Sequence, residues 1–268
     1  MHFQLMICVV ISKEDIASVK IGKQLLSLRK WKKRGKFYLN EDFLIYFIND
    51  LHIYHDNIDE EIEKFGYSPS TIIFASRHAS KAEKKTLSVH AIGNFSKAEY
   101  GGIDKELIKC NPLLMRNALI LLKEKNLDEY EVCYEATHHG PYLKKPCFFI
   151  EVGSTEKEWR DDVACKAIAE AILNIEEEKY EVAIGIGGGH YAPRFTDIAL
   201  GRNIAFGHIS AKYAVEHLNE KMIDKMLFAT PGCKKAYFHG GYKKIENEYK
   251  NKYKKIEEML RKRKISIS

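Results

Sequence analysis

The sequence predicts an α/β protein built on a mixed, twisted sheet flanked by helices. Three observations carry that prediction. Short apolar runs of strand length recur at residues 3–11, 71–75, 87–92, 130–137, 146–152, 181–186, 203–209 and 235–239. Stretches of helical length and pattern separate many of them, as in strands joined by crossover helices. The linker 143–146, between two of the runs, is too short for such a helix, so that pair is read as antiparallel and the sheet as mixed.

In chain order, residues 3–11 read as a buried strand. They lack a basic lead and a small-residue cleavage site, so they are not a signal peptide. Ser12 is the expected cap of a helix over about 13–30, with Glu14 and Asp15 at its positive end. Residues 37–48 have strand-like aromatics, and 51–55 continue or turn. The run 71–75 ends at Ser76-Arg77-His78, and the run 87–92 contains His90. Tyr100-Gly101-Gly102 is a loop, and a subdomain seam in an otherwise single α/β domain would fall there. Pro112 suits the first turn of a helix running to about 126. A helix over 155–174 opens with Ser154 or Thr155 as cap and Glu156 and Glu158 in its first turn. The last helix, about 242–264, places Ile245, Tyr249, Tyr253, Ile256 and Leu260 on one face.

Composition narrows the class. With 45% hydrophobic and 30% charged residues, and no apolar run of about 18 residues, the chain reads as soluble and not membrane-spanning. Its six cysteines are scattered without a Cys-x-x-Cys pair, which fits a reducing cytoplasm and gives no thiolate zinc site. Charge is localised. Residues 243–264 hold ten Lys/Arg against four Glu, equal to the whole net charge of +6. Residues 20–36 hold eight Lys/Arg and no acid. Two basic patches on a near-neutral body point to a polyanion, nucleic acid before membrane. A Lys-rich solvated surface of the kind found in heat-adapted proteins is the other reading.

Chemistry-bearing residues gather at the ends of apolar runs. Glu135-Ala136-Thr137-His138-His139-Gly140-Pro141 ends one run, and Glu151-Val152-Gly153-Ser154-Thr155 ends the next. Adjacent residues of a strand face opposite ways, so His138 and His139 share a metal only if the chain turns, and Gly140-Pro141 supplies a turn. Otherwise one imidazole is structural. Glu151 reads as a general base or a metal ligand, or as an acceptor for the turn that follows. Gly187, Gly188 and Gly189 precede His190 and Arg194. The match to a dinucleotide fingerprint there is only formal, because Pro193 disfavours a helix in register and no ribose-binding acid follows. A glycine turn that brings backbone N–H groups to a phosphate or a terminal nucleotide remains, beside the plain alternative of a tight turn. Gly207-His208-Ile209-Ser210 is the fourth such corner, with His78 and His90 able to join from the N-terminal half. Open sheets place ligand sites at edges of this kind.

In this order the motifs resemble the D-aminoacyl-tRNA deacylase family of archaea and plants. The matching stretches are Ser76-Arg77-His78-Ala79, Thr137-His138-His139-Gly140-Pro141, Glu151-Val152-Gly153-Ser154-Thr155 with Glu158-Trp159, Gly187-Gly188-Gly189-His190-Tyr191-Ala192-Pro193, and Gly207-His208. The resemblance implies hydrolysis of the ester between a D-amino acid and tRNA, as chiral proofreading, with zinc as cofactor. It also implies a fold related to peptidyl-tRNA hydrolase and nucleoside phosphorylases. It does not assign each ligand, and the roles expected here are read from the residues. His138, His139 and His190 are the expected zinc ligands. Glu151 is expected to take the water's proton, with Glu135 holding an imidazole or the substrate amine, and His139 acting at the catalytic centre. Gly187, Gly188, Gly189, Arg194, His208 and His78 are expected to contact substrate. A nucleosidase or metallo-peptidase on a phosphorylase-like fold stands as one alternative, and a non-catalytic tRNA-binding protein as another. If the basic helix grips phosphates, tRNA affinity measured by filter binding falls about tenfold or more between about 50 and 200 mM salt.

Overall fold

The structure is a computed structural model that describes residues 6–240 and 247–268. Its larger sheet has eight strands: β1 (Ile7–Ser12), β2 (Lys32–Arg34), β3 (Phe37–Leu39), β4 (Phe43–Ile48), β5 (Thr71–Ala79), β6 (Thr86–His90), β7 (Glu131–Tyr134) and β8 (Cys147–Ser154). They lie in the order β2-β3-β4-β1-β5-β8-β6-β7. The run β4-β1-β5-β8 is parallel, β6 is antiparallel to β8, and β7 is parallel to β6. A second sheet, all parallel, takes β9 (Glu181–Ile186), β10 (Ile204–Ser210), β11 (Cys233–Phe238) and β12 (Ser266–Ile267) in the order β10-β9-β11-β12. The mixed α/β architecture is the expected one.

The helices are α1 (Ile16–Leu28), α2 (Ile58–Lys64), α3 (Pro112–Glu124), α4 (Glu156–Trp159), α5 (Asp162–Leu173), α6 (Pro193–Gly201), α7 (Glu220–Phe228) and α8 (Asn247–Lys262). Side-chain alternation divides the large sheet. Val9, Ile11, Ile73, Phe148 and Ile150 pack with α1, α3 and α5 on one face. Cys8, Val10, Ile72, Phe74 and Phe149 pack with Ile58 and Ile62 of α2 on the other. The second sheet buries Ile184 and Ile186 with Ile223 and Met226 of α7 and with Tyr253, Ile256 and Leu260 of α8. Those three residues hold the apolar face expected of the last helix. Ile245, the side chain of Tyr249, the expected helix start near 242 and residues 3–5 of the first strand lie outside the described set. No helix among the described residues is long and apolar enough to cross a membrane.

Several local expectations are corrected. Ser12 does not cap α1; its hydroxyl donates to the Asp50 carbonyl, and Asp15 caps the helix by accepting from Ser18 N–H at 3.0 Å. Residues 37–48 are a hairpin, turned where Asn40 Oδ1 accepts from the Asp42 and Phe43 N–H groups, and the 51–55 stretch is a 3₁₀ turn at His52–Tyr54. The helix over 155–174 breaks after Trp159, because the Asp161 carboxylate takes the N–H groups of Val163 and Ala164 and starts α5. Thr155 heads α4 through a capping box with Glu158. Pro193 opens α6 after all, since its ring fits a first helical turn.

The most consequential difference concerns residues 130–152. β7 and β8 are not paired; β6 lies between them. β7 ends at Tyr134, and the segment from Glu135 onward leaves its strand. Glu135 N–H still donates to Val89 of β6, but Ala136 N–H donates to the His190 carbonyl and Thr137 N–H to the Ile209 carbonyl of the second sheet. The segment stitches the two sheets together. Ile256→Ala on α8 is expected to lower stability by about 2–4 kcal/mol in denaturant titrations, and Lys255→Ala, on the exposed face, by less than about 0.5.

Candidate active site

The site grows out of alternation along β8. Phe149, Glu151 and Gly153 share one face, and the register places β5 and β6 residues beside each. Phe74, Phe149 and His90 form an aromatic rung, with ring centroids 4.9 Å apart for Phe74–Phe149 and 5.2 Å for Phe149–His90. Ser76, Glu151 and Ser88 form the next rung, and His78, Gly153 and Thr86 the third. The apolar layer thus becomes polar within two residues. Gly153 is required by space: a Cβ there would lie 2.9 Å from both His78 Cβ and Thr86 Oγ1.

Glu135 and the two histidines after it come down onto this face. His139 takes φ +44°, which turns the chain so that both rings face one region, their centroids 4.2 Å apart. Gly140 is held tightly, with the Ile53 carbonyl oxygen and Gly101 carbonyl carbon 2.5 Å from where a Cβ would stand, and its N–H donates to the Tyr100 carbonyl. The Tyr100-Gly101-Gly102 loop therefore packs on the histidine turn.

Two buried carboxylates result, each facing imidazoles. Glu135 Oε2 lies 3.0 Å from His190 Nε2, 3.2 Å from His78 Nδ1 and 3.8 Å from His138 Nε2. Glu151 Oε2 lies 3.5 Å from His78 Nδ1 and 3.5 Å from His90 Nε2. Burial pushes the Glu151 carboxyl up, but His78 and His90 outweigh it and hold the group ionised. Burial lowers His78, yet its contact with Glu151 and the charge of Glu135 raise it to about 9. His139 is brought down to about 4 by burial and by His90; burial and its imidazole neighbours hold His138 well below the usual range.

The tautomers are set by backbone. The Nδ1–H of His138 faces the Ala136 carbonyl at 2.8 Å, and that of His139 faces the Gly140 carbonyl at 2.6 Å, which leaves each Nε2 with a lone pair. Neither Glu135 oxygen has a hydrogen bond of good geometry among the described residues, although the group is 1% exposed. One ligand atom from each of His78, Glu135, His138 and His190 lies within 4.8 Å of all the others. Three imidazoles around an unsatisfied buried carboxylate are a donor set that fits a divalent metal ion, whose binding would displace the proton that the raised pKa of His78 holds. His139 falls instead into a neighbouring group with His90 and His138.

Two cavities meet at His138, His139, His190 and Tyr100. One, of about 460 Å³, is lined by Ser76, His78 and Glu151 with Leu51 and Ile53. The other, of about 410 Å³, lies between residues 93–99 and residues 213–217. A larger cavity of about 560 Å³, beside Lys23 and Lys33, contains none of these groups.

Some expected site residues stand elsewhere. Gly187 and Gly188 have positive φ, but their open sides are filled by the Tyr253 hydroxyl and the His239 ring, and not by free space. Gly189 is exposed, and Arg194 is an exposed residue of α6 that lines neither cavity. His208 is fully buried; it accepts from the Thr137 hydroxyl at Nδ1, 3.0 Å away, and donates from Nε2 to the Ile108 carbonyl at 2.9 Å. It supports the histidine segment from behind. Sequence reading missed Asp15, which lines the first cavity while accepting from Ser76 Oγ and Arg77 N–H, and Tyr213 in the second. Neither belongs to a motif; only the tertiary path brings them in.

The family model for D-aminoacyl-tRNA deacylase matches residues 65–267. The chain belongs to the D-aminoacyl-tRNA deacylase family. A D-aminoacyl-tRNA deacylase of Pyrococcus abyssi is 45% identical over 218 residues, 77% of this chain and 80% of the relative. One from Methanosarcina mazei is 38% identical and aligns with 96% of this chain and 89% of its own. A crystal structure of a conserved protein of unknown function shares 35% identity and superposes with a TM-score of 0.87, covering 98% of this chain and 94% of that one. The matched residues contain every member of the histidine–carboxylate cluster, from His78 to His190.

His208 gives a stability test apart from catalysis. Its folded pKa of about 4, lowered by burial, lies below the ordinary 6.5, so between those values the unfolded chain binds a proton that the folded chain does not. Stability therefore falls as pH falls through that window. His208→Gln is expected to show a shallower decline of Tm between pH 6.5 and 4 than the natural chain.

Proposed function

We propose that this chain hydrolyses the ester joining a D-amino acid to the 3′-terminal ribose of tRNA, releasing the D-amino acid and free tRNA. The observation that carries this reading is the convergence of Glu135, Glu151 and the imidazoles of His78, His138 and His190 between two cavities, in a member of this family. An ester has two halves to hold and one bond to break, and the cluster lies where the cavities meet.

We assign the metal position to His78, Glu135, His138 and His190, with zinc as the ion that this nitrogen-rich donor set suits. Zinc held there would supply Lewis acidity and acidify a bound water. Glu151, kept ionised by His78 and His90, would accept a proton from the attacking water and return it to the ribose oxygen as the acyl C–O bond breaks. His139 is neutral near pH 7, and its Nε2 offers an acceptor to the substrate's ammonium or a ribose hydroxyl. His90 braces Glu151 and stacks on Phe149. The site takes groups from both sheets, which supports reading the chain as one α/β domain. Its six free cysteines fit the reducing cytoplasm, where aminoacyl-tRNA is used.

The deciding experiment is hydrolysis of matched D- and L-aminoacyl-tRNA, with zinc, after chelation and after zinc is restored. Turnover of the D-ester that is lost on chelation and recovered with zinc is expected; undiminished turnover of the metal-depleted chain would refute the metal assignment. Glu151→Gln is expected to lower kcat by about 10²–10⁴ with bound zinc retained. His138→Ala and His190→Ala are expected to lose zinc, read by elemental analysis, as well as activity. Equal zinc content in these variants would remove both from the ligand set.

A further inference from the structure

The two cavities at the histidine cluster differ in chemistry, and an ester substrate must divide between them. The first is closed in beneath by the 71–79 strand and has half-buried Leu51 and Ile53 in its wall. Arg77 is the only Lys or Arg lining it among the described residues, and its guanidinium lies 4.8 Å from the centroid of the Trp159 ring. Asp15, in the same wall, spends both carboxylate oxygens on Ser18, Ser76 and Arg77. Leu51, Ile53 and Ala79 give this cavity one apolar wall, the Asp15 carboxylate is engaged, and the Arg77 guanidinium lies on the Trp159 ring.

The second cavity has a different wall. Tyr213, 59% exposed, and Tyr100, 61% exposed, border it, with the exposed Lys97 and Glu99 on the 93–99 segment. Exposed aromatic rings beside a cation are what a terminal nucleotide needs, since a nucleobase stacks on such rings and a phosphate meets such a cation. Its 213–217 wall is also tied to the basic helix, since Lys252 Nζ donates to the Glu216 carbonyl at 2.7 Å, and Lys254 and Lys255 on that helix are exposed. A polyanion bound along α8 therefore approaches the cluster from this side. The glycine turn at 187–188, the other place for a nucleotide, is occupied by Tyr253 and His239.

We propose that the cavity between residues 93–99 and 213–217 seats the 3′-terminal nucleotide of the tRNA, with Tyr213 as its stacking platform, and that the Leu51–Ile53 cavity receives the amino-acid side chain. This rests on the proposed deacylase activity. The scissile bond then lies where the cavities meet, at His138, His139, His190 and Tyr100.

The test uses the full chain and tRNA charged with a large or a small D-amino acid. Tyr213→Ala is expected to raise KM by about 5- to 100-fold with kcat within about twofold, equally for both substrates, because the nucleotide is common to them. Tyr213→Phe keeps the ring and should restore the natural KM. Leu51→Ala should instead change the ratio of kcat/KM between the two amino acids and leave inhibition by the trinucleotide CCA unchanged, while Tyr213→Ala weakens that inhibition. No turnover of any D-aminoacyl-tRNA by the natural chain would refute the activity on which the proposal rests. Turnover with a natural KM in Tyr213→Ala, or a penalty that depends on the amino acid, would refute the cavity assignment alone. Tyr213 is exposed, so loss of fold does not confuse the result.

Discussion

Everything at the centre of this protein follows from two carboxylates buried side by side. Glu135 is 1% exposed and Glu151 is 2% exposed. A buried ionised carboxylate without partners costs several kcal/mol, so the surroundings must answer both charges. They do so with imidazoles, groups that carry charge or lone pairs according to their neighbours. His78 stands between the two acids, within 3.5 Å of each, and couples them. Glu135 keeps oxygens without a good hydrogen bond among the described residues, which an ion at the proposed metal position would answer. Stability and chemistry thus share one set of contacts.

Holding that set requires the chain to give up regular structure at one place. Residues after β7 change hydrogen-bonding partner from β6 to the second sheet within three residues. Backbone groups stay satisfied through the change, which lets the segment be buried. Glycines make the close approaches possible: Gly140 against the Tyr100-Gly101-Gly102 loop, and Gly153 beside His78. His208 and Thr137 brace the same segment from behind. The basic surface is also less free than its count suggests. Arg263 is paired with Asp224 and Glu220 of α7, Arg261 with Glu257, and Lys252 with a backbone carbonyl. Lys254 and Lys255 remain exposed for a polyanion.

The legible part of the fold is the part governed by period. Strands at 181–186, 203–209 and 235–239 and the helix from Pro112 stand close to where hydrophobic runs and caps place them. Helix starts were less legible, because Ser12 and Asp15 are both good caps and distant partners settle the choice: Asp50 takes the Ser12 hydroxyl, and Ser76 and Arg77 hold Asp15 at the helix start. The pairing of β7 was not legible. A short linker says that two strands do not cross over through a helix, but not that a third strand lies between them.

From the sequence alone come the α/β class, the family, and the collection of Glu135, His138, His139, Glu151 and His190 into one chemistry, because motif order and apolar periodicity are local properties. Tertiary structure decided the rest. It put His78 between the carboxylates while leaving it in the cavity wall, took His208 out of the cavity, and filled the 187–188 turn with the protein's own side chains. It also brought in Asp15 and Tyr213, which no motif marks. The physical reason is that burial and partner choice depend on which strands meet, and that is settled by long-range packing. The turn at His138 and His139 shows both sides: Gly140-Pro141 announces a bend, and only the contact with residues 100–102 fixes where the two imidazoles point.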